Sequence, residues 1–238
     1  MLTILIRHLP RVAGLVLGLA LVAGAAPSRT EAATPFRMDL YFTAGYERQV
    51  DNRTCVAAST AMMLNFIAHR DLRLNQLAIL EYTQPRDALD DKIQRGSDPL
   101  GWSLALTNFD YKTGEDFIYR WEPFTSEGAA LRRAAKQLAI TGKPVGLVIA
   151  HGGHAVVMTG FEATQDPRLG DFVLTYVWIS DPYGSTHKRY TAAGSPLDDY
   201  RALDATPTYD RAWYRKFVII VPQGSPTPLP VGSAVPTR

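Results

Sequence analysis

The sequence predicts an α+β fold in which helices precede an antiparallel sheet. Three observations predict it. Helical periodicity runs through Cys55–Ala68 and Glu127–Ile140, short apolar runs follow in series after Lys143, and glycine-rich or polar turns separate them.

The elements follow in chain order. Cys55–Ala68 (CVAASTAMMLNFIA) places Cys55, Ala58, Met62 and Phe66 on one helical face, with Asp51, Asn52 and Thr54 before it as capping residues. Leu74–Tyr82 is a shorter helix candidate, and Asp98–Gly101 reads as a turn before a helix from Trp102 to Phe109. In Glu127–Ile140, Leu131, Ala134 and Leu138 line a stripe, Ser126 caps the start and Gly142 stops the end. Pro144–Ala150, His154–Phe161, Phe172–Ile179 and Trp213–Val221 then read as strands. Gly152-Gly153 and Gln165–Gly170 join the first three as hairpin turns.

Both ends are set apart. Arg7 and Arg11 precede Val12–Ala26, a run of 15 residues without charge that ends in small residues around Ala23 and Ala25. This is the pattern of a secretory signal peptide, expected over residues 1–26; the run is short of the ~20 residues that span a bilayer, and a retained N-terminal anchor is the alternative. Residues 222–238 hold five prolines and read as an extended, disordered tail, leaving 35–221 as one folded domain. Removing Arg7 and Arg11 takes the formal charge from +2 to zero. That balance argues against a nucleic-acid groove built on charge and, with no span left after signal removal, against stable membrane insertion.

The chain has one cysteine, which excludes a disulfide framework and a thiolate zinc site. Cys55 falls in the first turn of its helix, where the macrodipole and unpaired N–H groups favour a thiolate. His154 opens the run HAVVMTGF, from which it can act as general base and then acid. His151 competes, but it lies between a strand and two glycines, and with His154 it lacks a third ligand for a metal. Asp181 closes the run FVLTYVWIS, where an acid can hold an imidazole in the productive tautomer. Gln49, six residues before Cys55, can assist its backbone N–H at a developing oxyanion. Trp178 and Tyr183 flank Asp181 as candidate cleft walls; Trp102, Trp121 and Trp213 read as core.

Gln49–Leu64 (QVDNRTCVAASTAMML), His154–Gly160 (HAVVMTG) and Ser180–Gly184 (SDPYG) together resemble papain-fold peptidases of the bacteriocin-processing-peptidase-like family, in particular stand-alone secreted bacterial members. The resemblance implies a papain-like fold whose N-terminal helical part carries the nucleophile and packs on a C-terminal antiparallel sheet. It also implies roles: Cys55 as nucleophile, His154 as base, Asp181 as its orienting partner and Gln49 in the oxyanion hole. Val56 stands where the family often has glycine, and the double-cysteine signature of papain itself is absent. Without the accompanying transporter domains, leader-peptide cleavage is not implied. The sequon Asn52-Arg53-Thr54 beside Cys55 favours a host that does not glycosylate.

The expectation is a secreted thiol hydrolase acting on a peptide or protein substrate without cofactor or metal. Amidases or acyltransferases with the same residues, and a non-catalytic binding module on the same fold, are the alternatives. The sequence leaves the oligomeric state open.

Overall fold

In the computed structural model, which describes residues 34–88, 96–184, 186–201 and 212–223, helix α1 spans Cys55–Ala68, and every residue from Cys55 to Ile67 is buried. The expected signal segment and the tail beyond Gln223 lie outside the described residues. The chain divides into residues 1–32 and 33–238, and all the elements named below belong to the second unit. Burial on all sides explains why α1 is alanine- and methionine-rich along its whole length: no face meets water, so no polar stripe is needed.

In chain order the elements are β1 (Phe36–Asp39), α1, α2 (Gln76–Thr83), α3 (Pro99–Asn108), β2 (Ile118–Phe124), α4 (Glu127–Thr141), β3 (Val145–Ile149), β4 (His154–Ala163), β5 (Leu174–Asp181), β6 (Thr186–Thr191) and β7 (Phe217–Gln223). The sheet runs β2-β7-β3-β4-β5-β6, with β1 also paired to β4, and every pairing is antiparallel. This is the expected α+β architecture, consistent with a papain-like fold.

Both faces of the central strands are covered, which is why they read as unbroken apolar runs. Val156, Met158, Ile219 and Val221 pack toward α4 with Leu131, Ala134 and Leu138. The alternate residues Ala155, Val157, Val218 and Ile220 pack with Met62, Phe66 and Trp102 of α1 and α3. Gly146 of β3 is where α3 comes closest: a Cβ there would lie 2.6 Å from the Trp102 ring.

Several boundaries differ from expectation. The Asp98–Gly101 segment is the start of α3, not a turn before it. Pro99 supplies a helical φ at the first position, and the Asp98 carboxylate accepts from the N–H groups of Leu100 (2.8 Å) and Gly101 (3.0 Å). Ala212–Trp213 is helical instead of starting a strand, because Trp213 is anchored at 0% exposure in the core and β7 begins only at Phe217. At its other end β7 runs to Gln223, with Pro222 opposite Tyr119 of β2 and beyond the β3 pairing, where its missing N–H breaks no ladder bond to β3. Ser126 and Gly142 bound α4 as read from the sequence: the serine hydroxyl accepts from Ala129 N–H, and Gly142 adopts φ 66°.

Gly146→Ala should lower unfolding free energy by about 1–3 kcal/mol, the usual cost of forcing a methyl group into a filled core. Urea denaturation measures it; a wild-type midpoint would contradict this close approach.

Candidate active site

Cys55 is the first residue of α1, is 9% exposed and is a free thiol. The capping expected from Asp51, Asn52 and Thr54 does not occur, because the hydroxyl of Thr54, the N-cap residue, is engaged upstream. The loop before α1 winds around the Asp51 carbonyl, which accepts from Gln49 Nε2 (2.8 Å), Thr54 Oγ1 (3.0 Å) and Thr54 N–H (3.4 Å). Asp51 N–H in turn donates to Thr54 Oγ1 at 3.1 Å. Side chains therefore knit the loop and leave the first helical turn without a side-chain cap. Such a helix start favours a negative charge beside it.

His154 is the first residue of β4 and Asp181 the last of β5. In an antiparallel pair these positions share one end of the sheet, and the two side chains meet with His154 Nε2 2.8 Å from Asp181 Oδ1. The same carboxylate oxygen accepts from Tyr183 N–H at 2.8 Å, and Tyr46 Oη donates to the Asp181 carbonyl at 2.7 Å. With Nε2 committed to Asp181, the His154 ring also interacts electrostatically with the Cys55 side chain. One turn along α1, Ser59 Oγ donates to the carbonyl of Ala155 at 3.1 Å, fixing the helix against the strand residue next to His154.

Burial opposes a charge on His154, but hydrogen bonds to Asp181 and Cys55 and the charges of both partners outweigh it and raise its pKa from 6.5 to about 9. Burial likewise opposes the Asp181 carboxylate, yet bonds from His154 and from the Tyr183 and Gly184 amides hold its pKa below 3.8. An imidazolium lying between the Asp181 carboxylate and the Cys55 sulfur is therefore the resting arrangement near neutrality.

Gln49 lies on an irregular strap between the first strand and α1. Its N–H donates to the Pro182 carbonyl at 3.1 Å, one residue beyond Asp181, and its Nε2 spends one N–H on Asp51. Gln76, at the start of α2, contacts the same strap: its Nε2 donates to the Arg48 carbonyl (2.8 Å) and its Oε1 accepts from Val50 N–H (3.1 Å).

A model of the Peptidase_C39 like family matches residues 43–203, more than half of the chain and a span that includes Gln49, Cys55, His154 and Asp181. The chain belongs to the Peptidase_C39 like family. No curated protein matches the chain significantly.

Membership in the Peptidase_C39 like family makes cysteine-peptidase chemistry the expectation for this site; His154 and Asp181 meet directly, Cys55 opens the helix that Ser59 ties to β4 beside them, and Gln49 reaches the end of β5 through its backbone bond to Pro182. His151 is held elsewhere. Its N–H donates to Asp198 Oδ1 (3.0 Å) and its ring lies 3.5 Å from Asp198 and 3.4 Å from Asp199, so it shares no ligand set with His154. Tyr183 is 70% exposed and presents an edge to His154 with ring centroids 6.3 Å apart, which suits a cleft wall. Trp178 does not serve as one: it is 6% exposed and packs under the guanidinium groups of Arg37 and Arg189.

Sequence reasoning missed Tyr46, Ser59 and Gln76, each of which acts through one hydrogen bond or two that no local pattern encodes. It also missed a network beside Asp181. Ser180 Oγ lies 3.2 Å from His187 Nδ1, His187 Nε2 lies 3.1 Å from Asp39 Oδ2, and Thr159 Oγ1 donates to Asp39 Oδ1 at 2.9 Å. Ser180 is fully buried, so this Ser-His-Asp line ties β1, β4, β5 and β6 together and offers no nucleophile to a substrate.

The raised pKa of His154 makes its pairing stabilise the native state fully below the ordinary value of 6.5, with that contribution lost as pH rises through about 9. The Asp181 contribution has the opposite sense, present above 3.8 and lost only as pH falls through its lower native value. NMR titration of the His154 ring should give a midpoint near 9. Asp181→Asn should move it downward; an unmoved midpoint would contradict the assigned cause.

Proposed function

We propose that the chain is a secreted bacterial thiol hydrolase that cleaves peptide bonds with Cys55, His154, Asp181 and Gln49. The observation that carries this reading is the line formed by Asp181 and the His154 ring beside Cys55, with His154 Nε2 2.8 Å from the carboxylate and Cys55 acting on the charge of the ring. A buried structural cysteine needs no such line.

The Cys55 sulfur attacks the substrate carbonyl, and the carbonyl oxygen takes the negative charge. The second N–H of the Gln49 amide and the Cys55 backbone N–H stabilise that oxyanion. The C–N bond then breaks as the His154 imidazolium gives its proton to the leaving amine, forming a thioester on Cys55. The neutral imidazole takes a proton from water, the hydroxide equivalent attacks the thioester, and the carboxylic acid product leaves as the thiolate re-forms beside the imidazolium. Asp181 keeps its charge throughout and holds the ring orientation. Peptides and unfolded proteins are the substrate class. Export is supported by the signal-like segment 1–26, and a single thiol outside the cell suits one that is used.

Incubation of the chain with denatured casein tests this, with new N-termini read by mass spectrometry. Wild type should generate them, Cys55→Ala should generate none, and His154→Ala should be slower by roughly 10²–10⁴-fold. Casein cleavage by Cys55→Ala at the wild-type rate would overturn the reading. Adding hydroxylamine should divert part of the acyl product to hydroxamate; a product formed only with the added amine would mark an acyltransferase instead.

A further inference from the structure

We infer that Gln76 is a positioning residue for the oxyanion-binding side of the site, holding Gln49 through the backbone on either side of it. The inference rests on the role given to Gln49 above.

The strap that carries Gln49 belongs to no strand, so its backbone polar groups have no ladder to pair with. Gln76 replaces the ladder. It is 6% exposed, and its planar amide meets the Arg48 carbonyl and the Val50 N–H as the backbone of a neighbouring strand would. Gln49 is the residue between those two contacts, and its own N–H pairs with Pro182 of the β5 end. Its peptide units are thus held from α2 on one side and from the strand end carrying Asp181 on the other.

A second buried amide acts on the same strap farther back. Asn65 of α1 donates to the Gly45 carbonyl (3.2 Å) and to Glu47 Oε1 (3.3 Å). Burial raises the Glu47 pKa, and bonds from Asn65 and Gln76 partly offset that rise. Asn65 therefore fixes the entry of the strap, while Gln76 alone of the two brackets Gln49. A buried amide is costly unless donor and acceptor are both satisfied, so Gln76 and the strap hold each other in one geometry. An oxyanion donor displaced by a fraction of an ångström loses much of its effect, which gives the contact a catalytic consequence.

The test needs a reaction that passes through an oxyanion and one that does not. p-Nitrophenyl acetate supplies the first: the Cys55 sulfur bonds to the acetyl carbon, p-nitrophenolate leaves, and water releases acetate from the thioester. Iodoacetamide supplies the second, because displacement of iodide by sulfur forms no oxyanion. Gln76→Ala should slow acylation roughly ten- to hundredfold while alkylation at pH 7 stays within about twofold of wild type. In a Gln49→Ala background, Gln76→Ala should slow acylation no further.

Equal losses in both reactions, or multiplying losses in the double variant, would overturn the inference and make Gln76 a general structural residue. Gln49→Ala acylating at the wild-type rate would instead remove the oxyanion role itself, and the inference with it. Gln76→Glu keeps the shape and the acceptor for Val50 N–H but removes the donor to Arg48, and it serves if Gln76→Ala does not fold. It should slow acylation with alkylation preserved, and wild-type acylation in this variant would overturn the inference.

Discussion

Helix α1 lies buried across the sheet with its first turn at the strand end where β4 begins and β5 finishes, and the rest of the site depends on that placement. The hydroxyl of Ser59 locks the helix to the carbonyl of Ala155, one residue from His154. Because β4 and β5 are antiparallel, the first residue of one and the last of the other lie at the same edge, so histidine and aspartate meet without any long loop. The thiol arrives from a different layer of the molecule. Nothing in the local structure of α1, β4 or β5 alone would bring the three groups together.

Electrostatics then uses what packing has assembled. Burial penalises charge on both His154 and Asp181, and for each the surrounding hydrogen bonds and opposite charges together outweigh the penalty. Tyr183 and Gly184 amides reinforce the carboxylate, and Tyr46 fixes the backbone of the same residue. The strap from Tyr46 to Asp51 is consequently more than a connection. It carries Gln49, grips the β5 end through Pro182, and is gripped in turn by Gln76 and Asn65.

Much of this was legible in the sequence where periodicity is long or burial is two-sided. The limits of α1 were read to the residue, and β3, β4 and β5 were found because both faces of each are apolar. β1, β2 and β6 escaped for physical reasons. β1 has four residues, β2 carries Arg120, Glu122 and Pro123, and β6 (THKRYT) is a polar edge strand that leaves no apolar alternation to detect. The places of Cys55, His154 and Asp181 at element ends were legible from residue type and order. Gln76 was not: a glutamine at a helix start looks the same whether it faces water or brackets another segment, and only the tertiary contact distinguishes them. Trp178 failed in the opposite way, since nearness to Asp181 in sequence says nothing of which face of β5 an aromatic ring joins.

The central claim is that the His154 imidazolium, held by Asp181, acts on the Cys55 sulfur across the helix–strand junction. The pH dependence of iodoacetamide alkylation, compared between wild type and His154→Ala, tests it most directly. Wild type should alkylate at pH 6 at least about tenfold faster than His154→Ala, which lacks the imidazolium beside the sulfur. Superimposable profiles for the two proteins would contradict the account.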